Sequence, residues 1–312
     1  THTPVPPTAT PTNTAVPPTA TNTPVVPTAT ATSANCPLVV TSNADSGAGS
    51  LRQAIASANA SCNQITFGAG MTGQTIRLAS EVIIAKNVTI DGSGRKITIS
   101  GDTNNDGTGN VPVFTINGGV VVLKSLTIAD GFGADGLGGG VSISPGAHVS
   151  ILQSTIRNNV SDNGTAFSLG GGIHNTGVLT LTNSTVSDNQ AANLAGLGGG
   201  LHSGFGSSAP SSGLGGGINV EGGTVSLVGS IVSGNSAEAG AEISVNNGGT
   251  LNLNAYNVLG VSGDAGLDGS TAGATDRVPS GLLNTVINTT LADNGGDSAT
   301  FAVLTSGVAY NV

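Results

Sequence analysis

Short aliphatic strands recur along this chain about every 30 residues, separated by turns rich in glycine and asparagine. One column of aligned strands occupies residues 126–128, 154–156, 184–186 and 230–232. A second column, with the motif Leu-Gly-Gly-Gly-aliphatic, occupies residues 137–141, 169–173, 197–201 and 214–218. A period of this length is typical of a solenoid, in which each repeat packs only against its neighbours. The interval of 46 residues before the last strand of the first column predicts one coil with an insertion.

The period and the glycine turns together predict an all-β fold, a right-handed parallel β-helix with three strands per coil. The repeat is too long for left-handed hexapeptide helices, and it lacks the helices of leucine-rich or ankyrin repeats. Corner positions after the first strand column hold Asn159, Asn189 and Asn235. Stacked asparagines can hydrogen-bond from coil to coil, and asparagine tolerates the left-handed backbone of a tight corner. We expect about eight or nine coils of this kind.

The composition fits a repetitive β-structure and argues against several classes of protein. Charged residues make up 8% and aromatic residues 3% of the chain, but 37% is hydrophobic, which argues against disorder throughout. The formal net charge of −9 disfavours nucleic acid as a partner, because phosphate contacts need clustered Lys and Arg. No apolar run approaches the roughly 18 residues of a membrane span. Because the chain begins at Thr1 without a signal-like segment, we expect a processed or trimmed mature fragment.

Residues 1–35 form a low-complexity segment that we expect to be an extended tail or stalk. A Val-Pro-Pro-Thr-Ala-Thr repeat favours polyproline-II-like chain, because proline blocks helices and removes backbone donors. Threonine-rich segments with proline are also typical of O-glycosylated stalks. Candidate O-glycosylation sites are Thr8, Thr10, Thr19, Thr21, Thr28 and Thr30. A flexible linker is the alternative interpretation.

Residues 36–64 contain the one convincing helix, which we expect to cap the solenoid formed by residues 65–312. Ser50 and Gln53 form a capping box before an amphipathic run, and the cap would cover unpaired strand edges. Cys36 and Cys62 flank this helix. A disulfide between them would contribute about 3 kcal/mol in the chain-entropy model and would indicate an oxidising, extracellular compartment. Two buried free thiols are the alternative.

Several of these motifs resemble those of bacterial surface proteins. Residues 49–55 (Gly-Ser-Leu-Arg-Gln-Ala-Ile), 65–67 and 87–92 resemble the start of secreted β-helix proteins of the choice-of-anchor type. The Gly-Gly-Gly-Ile-x-Asn and Ser-Thr-Val-Ser-x-Asn repeats resemble polymorphic outer-membrane-protein passengers and other pectate-lyase-like β-helices, and 291–296 resembles the family's last coil. The resemblance covers residues 36–312. It implies an exported, surface-associated protein that is usually non-enzymatic.

Polysaccharide lyases and hydrolases share this fold, but their catalytic patterns are absent from the sequence. Those enzymes need paired carboxylates at set separations, or a Ca²⁺ cluster with a nearby basic residue. No Asp-Asp pair occurs, and the 8 Lys and Arg residues offer no evident cluster to bind uronates. We therefore expect no catalytic residue. His174 and His202 are interpreted as replacing the turn asparagine of the repeat, and Arg52 as an ion-pair partner in the helix cap.

A polar segment after residue 101 offers the sharpest candidate for a bound ion. Asp102, Asn104 and Asp106, followed by Gly107, match the first half of a Ca²⁺ loop, in which oxygen ligands alternate. The glutamate expected at the twelfth position is missing, because Val113 stands there. The segment is therefore either a structural calcium site, which would be the chain's one cofactor, or a polar loop whose Asn and Asp suit turn geometry.

We expect a non-catalytic extracellular surface or structural protein whose partners are copies of itself, arranged head to tail, or other cell-surface material. The C-terminal candidate assembly residues are Phe301, Val303, Leu304, Val308 and Tyr310. An uncapped last coil would be a template for strand addition, and contacts between two different surfaces give open filaments. An adhesin or glycan-binding module is the second interpretation, and a polysaccharide lyase or hydrolase is the third.

Overall fold

A computed structural model describes Cys36 and residues 38–164, 167–192, 213–253, 255–282, 284 and 288. The chain folds as a parallel β-solenoid of about seven turns, which confirms the fold class expected from the sequence. From Cys36 onward, the described residues form one compact unit. The solenoid has fewer turns than the about eight or nine that the period predicts. One coil is lengthened by residues 193–212, and residues 289–312 fall outside the described part.

Three parallel sheets form the walls of the solenoid, and their strands are numbered in chain order. Sheet A consists of β1 (Leu38–Val40), β2 (Gln64–Phe67), β5 (Val88–Asp91), β8 (Val120–Lys124), β12 (His148–Leu152), β17 (Val178–Thr182), β22 (Thr224–Val228) and β25 (Thr250–Asn252). Sheet B consists of β3 (Thr75–Arg77), β6 (Ile97–Ser100), β9 (Leu126–Ala129), β13 (Thr155–Arg157), β18 (Thr185–Ser187), β23 (Ile231–Val232) and β26 (Val258–Leu259). Sheet C consists of β4 (Val82–Ala85), β7 (Phe114–Gly118), β11 (Val141–Ile143), β16 (Ile173–Asn175), β21 (Ile218–Glu221), β24 (Ile243–Asn246) and β27 (Leu267–Asp268).

Short elements fill the turns between these sheets. Two small sheets between sheets B and C consist of β10 (Phe132–Gly133), β14 (Val160–Asp162) and β19 (Gln190–Ala192), and of β15 (Ser168–Leu169) and β20 (Gly213–Leu214). A single turn of 3₁₀ helix occupies Ala69–Met71. In every sheet, each strand pairs with the equivalent strand of the next coil, so position along the solenoid follows position in the sequence.

The core is built from aliphatic columns that run the length of the solenoid. The inward column of sheet A is Ile65, Ile90, Leu123, Ile151, Leu181 and Leu227, and that of sheet B is Ile76, Ile99, Ile128, Ile156, Val186 and Val232. Each of these side chains is at most 1% exposed. Because side chains alternate between the faces of a strand, the aliphatic positions stack inside, where each buried side chain stabilises the fold by about 1.5–3 kcal/mol.

One helix, α1 (Leu51–Ser57), lies between β1 and β2 and covers the core at the N-terminal end. The Ser50 hydroxyl oxygen accepts a hydrogen bond from the Gln53 backbone N–H at 3.2 Å, which confirms Ser50 as the N-cap. Gln53 Oε1 accepts from the Gly49 N–H at 2.7 Å, one residue before the donor of a standard capping box. The buried residues of α1 are Leu51, Ala54 and Ile55. The segment that contains this cap also supplies β1, the first strand of sheet A.

The corner that follows sheet B carries the expected asparagine stack. Asn159 Nδ2 donates to Asn189 Oδ1 at 2.9 Å, and Asn189 Nδ2 donates to Asn235 Oδ1 at 2.9 Å. The left-handed backbone lies one residue before the stack, at Asn158 and Asp188, where φ is 53° and 56°. The repeat therefore predicts the stack correctly, while the structure separates the residue that hydrogen-bonds from the residue that bends the chain.

In the second column, which carries the Leu-Gly-Gly-Gly motif, three of the four copies pair with one another from coil to coil. Leu137 forms a bridge with Leu169, and Leu169 pairs with Leu214. The copy at 197–201 lies outside the described residues, so the coil between 169 and 214 is the one lengthened by the insertion, as predicted. Gly170 has a φ of 64°, and an added Cβ would lie 2.0 Å from a backbone oxygen. Only glycine fits there.

Candidate functional site

The N-terminal end of the solenoid is closed by a disulfide. Cys36 and Cys62 are joined with a Cα–Cα distance of 5.6 Å, which confirms the predicted disulfide and excludes the alternative of two free thiols. The bond ties the residue that follows the segment 1–35 to the chain just before β2. It therefore closes a loop that contains both β1 and α1.

Arg52 fastens α1 to the chain that precedes β4. Its Nη2 lies 2.6 Å from Asp45 Oδ1 and donates to the Ser80 carbonyl oxygen at 2.6 Å. Its Nη1 donates to the Glu81 carbonyl oxygen at 2.8 Å. A guanidinium that serves one carboxylate and two backbone carbonyls holds two segments together. Arg52 is thus an ion-pair partner in the cap, as the sequence predicts.

Lys86 holds the other end of α1. Its Nζ donates to the carbonyl oxygens of Ile55, Ala56 and Ala58 at 3.3, 3.2 and 3.0 Å. A cation at this position satisfies the last carbonyls of the helix and complements its dipole. In the described ranges Lys86 forms no ion pair with a carboxylate.

A shallow groove, here named the N-terminal groove, runs between α1 and β4. Its lining includes Arg52, Ile55, Glu81, Val82, Ile83 and Lys86. Among the described strands, β4 pairs only with β7, so its other edge has no strand partner. Ile83 is 55% exposed on this strand. The groove thus combines a free sheet edge, an exposed aliphatic side chain and two basic side chains.

The predicted calcium residues lie in the loop between β6 and β7, where hydrogen bonds within the loop engage them. The Asp102 carboxylate accepts from the backbone N–H groups of Asp106 and Gly107 at 3.2 and 3.0 Å. Asp106 accepts from Asn104 Nδ2 at 2.8 Å, and this bond is the main cause that lowers the pKa of Asp106. The described ranges contain no group of three or more His, Cys, Asp or Glu that could hold a metal ion. Calcium binding stays a prediction, and the turn alternative accounts for these contacts.

The sequence places His174 in a turn, and this interpretation is wrong. His174 lies inside β16, where it pairs with Ser142 of β11 and Asn219 of β21, and it is 4% exposed. The turn asparagines of the repeat occupy the corner after sheet B, whereas the position after Gly-Gly-Gly-aliphatic belongs to a strand of sheet C. The two columns have similar glycine-rich and asparagine-rich surroundings, so the local pattern did not separate them.

His174 is the centre of a polar cluster on the outer face of sheet C. Its Nδ1 lies 3.2 Å from Asn219 Oδ1, and its Nε2 lies 3.6 Å from Glu221 Oε2. Burial lowers the pKa of His174, and the carboxylates of Glu221 and Asp135 only partly oppose this effect. Asn219 is fully buried, and its Nδ2 has no hydrogen-bond partner among the described residues. Sequence reasoning missed Asn219 and Glu221, because only the strand register brings them beside His174.

Two buried carboxyl groups accept the last hydrogen bond of a coil-to-coil ladder. Sequence reasoning missed both of them. Glu242 is 2% exposed and accepts from Asn235 Nδ2 at 2.6 Å. Asp276 is 8% exposed and accepts from Asn257 Nδ2 at 3.0 Å. An ionised carboxylate only accepts hydrogen bonds, so it can end a ladder in which every earlier member donates to the next. Burial raises the pKa of Glu242 by more than its N–H donors lower it.

The remaining predicted sites lie outside the described residues. These are Phe301, Val303, Leu304, Val308 and Tyr310 for assembly, Thr8, Thr10, Thr19, Thr21, Thr28 and Thr30 for O-glycosylation, and His202. They stay predictions.

No protein-family model matches this chain, and a comparison with curated proteins finds no significant match. The geometry therefore defines the protein as a parallel β-solenoid with a helix and a disulfide at its N-terminal end, without a more specific family. Within the described ranges, no helix has the length and apolar character needed to cross a membrane.

Proposed function

We propose that this protein is a non-catalytic extracellular scaffold that assembles head to tail through the ends of its solenoid. The main support is the unbroken order of the three sheets. Each sheet keeps one strand direction from its first to its last described strand, so the two ends offer edges of matching direction. A contact between two different surfaces of one molecule can repeat without closing, and it then gives an open filament.

The disulfide and the segment 1–35 support an extracellular role. Disulfides such as Cys36–Cys62 persist in oxidising compartments. As polyproline-II chain, 35 residues would span about 110 Å, whereas seven coils stacked about 4.8 Å apart span about 34 Å. The segment is therefore long enough to contact a neighbouring molecule. Its threonines are proposed O-glycosylation sites, which intact-mass measurement of the native protein would reveal.

Negative-stain electron microscopy of the full chain tests the assembly. We expect fibres one solenoid wide, with fewer fibres at low protein concentration because association depends on mass action. Monodisperse particles at high concentration, with residues 1–35 intact, would contradict the proposal. A second assay tests for enzyme activity on acidic polysaccharides. We expect no release of reducing or unsaturated ends. Clear depolymerisation would instead favour a lyase or hydrolase.

Glycan binding is the second candidate, and the polar cluster of sheet C favours it. In the part of the chain that the structure describes, Asn219 Nδ2 is a buried donor without a partner, and Asn246 Oδ1, at the end of the neighbouring strand β24, is a buried acceptor without one. A sugar hydroxyl both donates and accepts, so it could satisfy groups of both kinds. A glycan array tests this function. Binding that is lost in Asn219→Ala and kept in Asn252→Ala, an exposed amide on sheet A, would support it.

A further inference from the structure

We propose that the N-terminal groove receives the C-terminal segment of a second copy of this chain, which adds a strand to the free edge of β4. This inference rests on the proposed function, because it names the two surfaces through which head-to-tail assembly occurs. The occupant is the apolar segment 301–304, Phe-Ala-Val-Leu, of the neighbouring molecule.

The charge of the solenoid differs between its two ends. Residues 38–100 carry five basic and three acidic side chains, namely Arg52, Arg77, Lys86, Arg95, Lys96, Asp45, Glu81 and Asp91. Residues 167–282 carry one basic and seven acidic side chains, of which Glu242 and Asp276 are buried; the set is Arg277, Asp188, Glu221, Glu238, Glu242, Asp264, Asp268 and Asp276. Strand order follows sequence order, so the first range lies at one end and the second range extends to the other. Opposite charge at the two ends favours head-to-tail over head-to-head contact.

The free edge of β4 is suited to accept another strand. The Val82 N–H donates to the Val113 carbonyl oxygen at 2.9 Å, toward the next coil of the solenoid. Successive residues of a strand direct their backbone groups to opposite edges, so Ile83 directs its N–H and C=O toward the groove. Arg52 and Lys86 link α1 to the chain at either end of β4, and between them the groove separates the helix from the strand, where Ile83 is 55% exposed.

The sequence of the C-terminal segment fits this edge in length, composition and charge. Phe301 comes 19 residues after Leu282, and 19 residues of extended chain span about 60 Å, enough to reach a neighbouring molecule. Asp293 and Asp297 precede the segment and would be attracted to Lys86 in the groove. The segment 1–35 is a poorer occupant, because it has no Asp or Glu and its prolines lack N–H donors.

One substitution in the groove and one matched control test the interface. Ile83→Glu replaces the exposed aliphatic side chain of β4 by a carboxylate that would repel Asp293 and Asp297 of the occupant, whereas Val120→Glu changes an equally exposed side chain (55%) on the outer face of sheet A. Phe301→Glu alters the occupant. Sedimentation velocity of the full chain at about 50 and about 500 mM NaCl measures self-association, and thermal melting checks that each variant is folded. We expect Ile83→Glu and Phe301→Glu to weaken association at least about tenfold, Val120→Glu to leave it unchanged, and high salt to weaken the wild type.

The outcomes separate this interface from the proposed function. A wild type that never associates removes the proposed function and the interface with it. A wild type that associates while folded Ile83→Glu associates equally well overturns the groove as the interface, although the assembly itself stands. Normal association of Phe301→Glu overturns the choice of occupant. Loss of association in Val120→Glu alone points to side-by-side contacts through sheet A and also overturns the proposal.

Discussion

Asn189 Nδ2 donates a hydrogen bond to Asn235 Oδ1 at 2.9 Å, although 46 residues separate the two side chains along the chain. The Asn189 backbone N–H donates to the same oxygen at 3.0 Å. The corresponding bond one coil earlier, from Asn159 to Asn189, spans only 30 residues and has the same length. The insertion at 193–212 therefore lengthens one coil without disturbing the stacking of the coils on either side. Side chains such as these bind successive coils to one another.

Replacing Asn189 by alanine should destabilise the solenoid strongly. Asn159 would lose the acceptor of two hydrogen bonds, and buried polar groups left unpaired cost about 1–3 kcal/mol each. We expect Asn189→Ala to lower the free energy of unfolding by about 2–4 kcal/mol in denaturant titration. Asn252→Ala removes an exposed amide and should change it by less than about 0.5 kcal/mol. A loss in Asn189→Ala as small as that in Asn252→Ala would show that the stack does not stabilise the fold.

The pKa of Glu242 makes a specific contribution to the pH dependence of stability. Burial raises this pKa above the ordinary value of 4.5, so in the window just above that pH the folded chain binds more protons than the unfolded chain. The contribution of Glu242 is then fully present below pH 4.5 and is lost as pH rises through the folded pKa. The free energy of unfolding of the wild type, relative to Glu242→Gln, should therefore fall as pH rises through this window. If the free energies of unfolding of the wild type and Glu242→Gln changed with pH in parallel, this assignment would be wrong. The control Glu238→Gln, at an exposed position, should show the pH dependence of the wild type.

Removing the disulfide should destabilise the N-terminal end without changing the fold of the later coils. The bond joins residues 26 positions apart, and the chain-entropy model gives about 3 kcal/mol for a loop of this size. We expect the double variant Cys36→Ser/Cys62→Ser to lose this amount in denaturant titration. The same loss should follow reduction of the wild type, whereas a reductant should not affect the double variant. A reductant-sensitive double variant would show that the reductant acts elsewhere.

Asp102 should stabilise its loop whether or not calcium is present. Its carboxylate accepts two backbone N–H bonds, and Asp102→Asn replaces one acceptor by a donor. We expect Asp102→Asn to lower the free energy of unfolding by about 1–3 kcal/mol. Its melting temperature should fall below that of the wild type by the same amount in calcium and in a chelator. If calcium raises the melting temperature of the wild type and not that of Asp106→Asn, the loop holds an ion.

Much of the architecture could be predicted because its signals are local or periodic. Ser50 is an N-cap because its hydroxyl lies within reach of an N–H three residues later, and Asn159, Asn189 and Asn235 recur at equivalent places in their coils. The disulfide could be inferred because the chain has only two cysteines. The environment of His174 could not be predicted, because Asn219 is 45 residues away and meets it only through the register of sheet C.

Periodicity specified the solenoid, its aliphatic columns and the coil with the insertion, since a repeat that buries its apolar face against its neighbours has few alternative folds. Features that depend on contacts between coils could be found only from the three-dimensional arrangement of the coils. It placed Glu242 as the acceptor for Asn235, left β4 with a free edge beside α1, and put the basic and acidic parts of the chain at different ends. The reason is that coil-to-coil register depends on the summed lengths of turns and insertions, and no local sequence pattern records that sum.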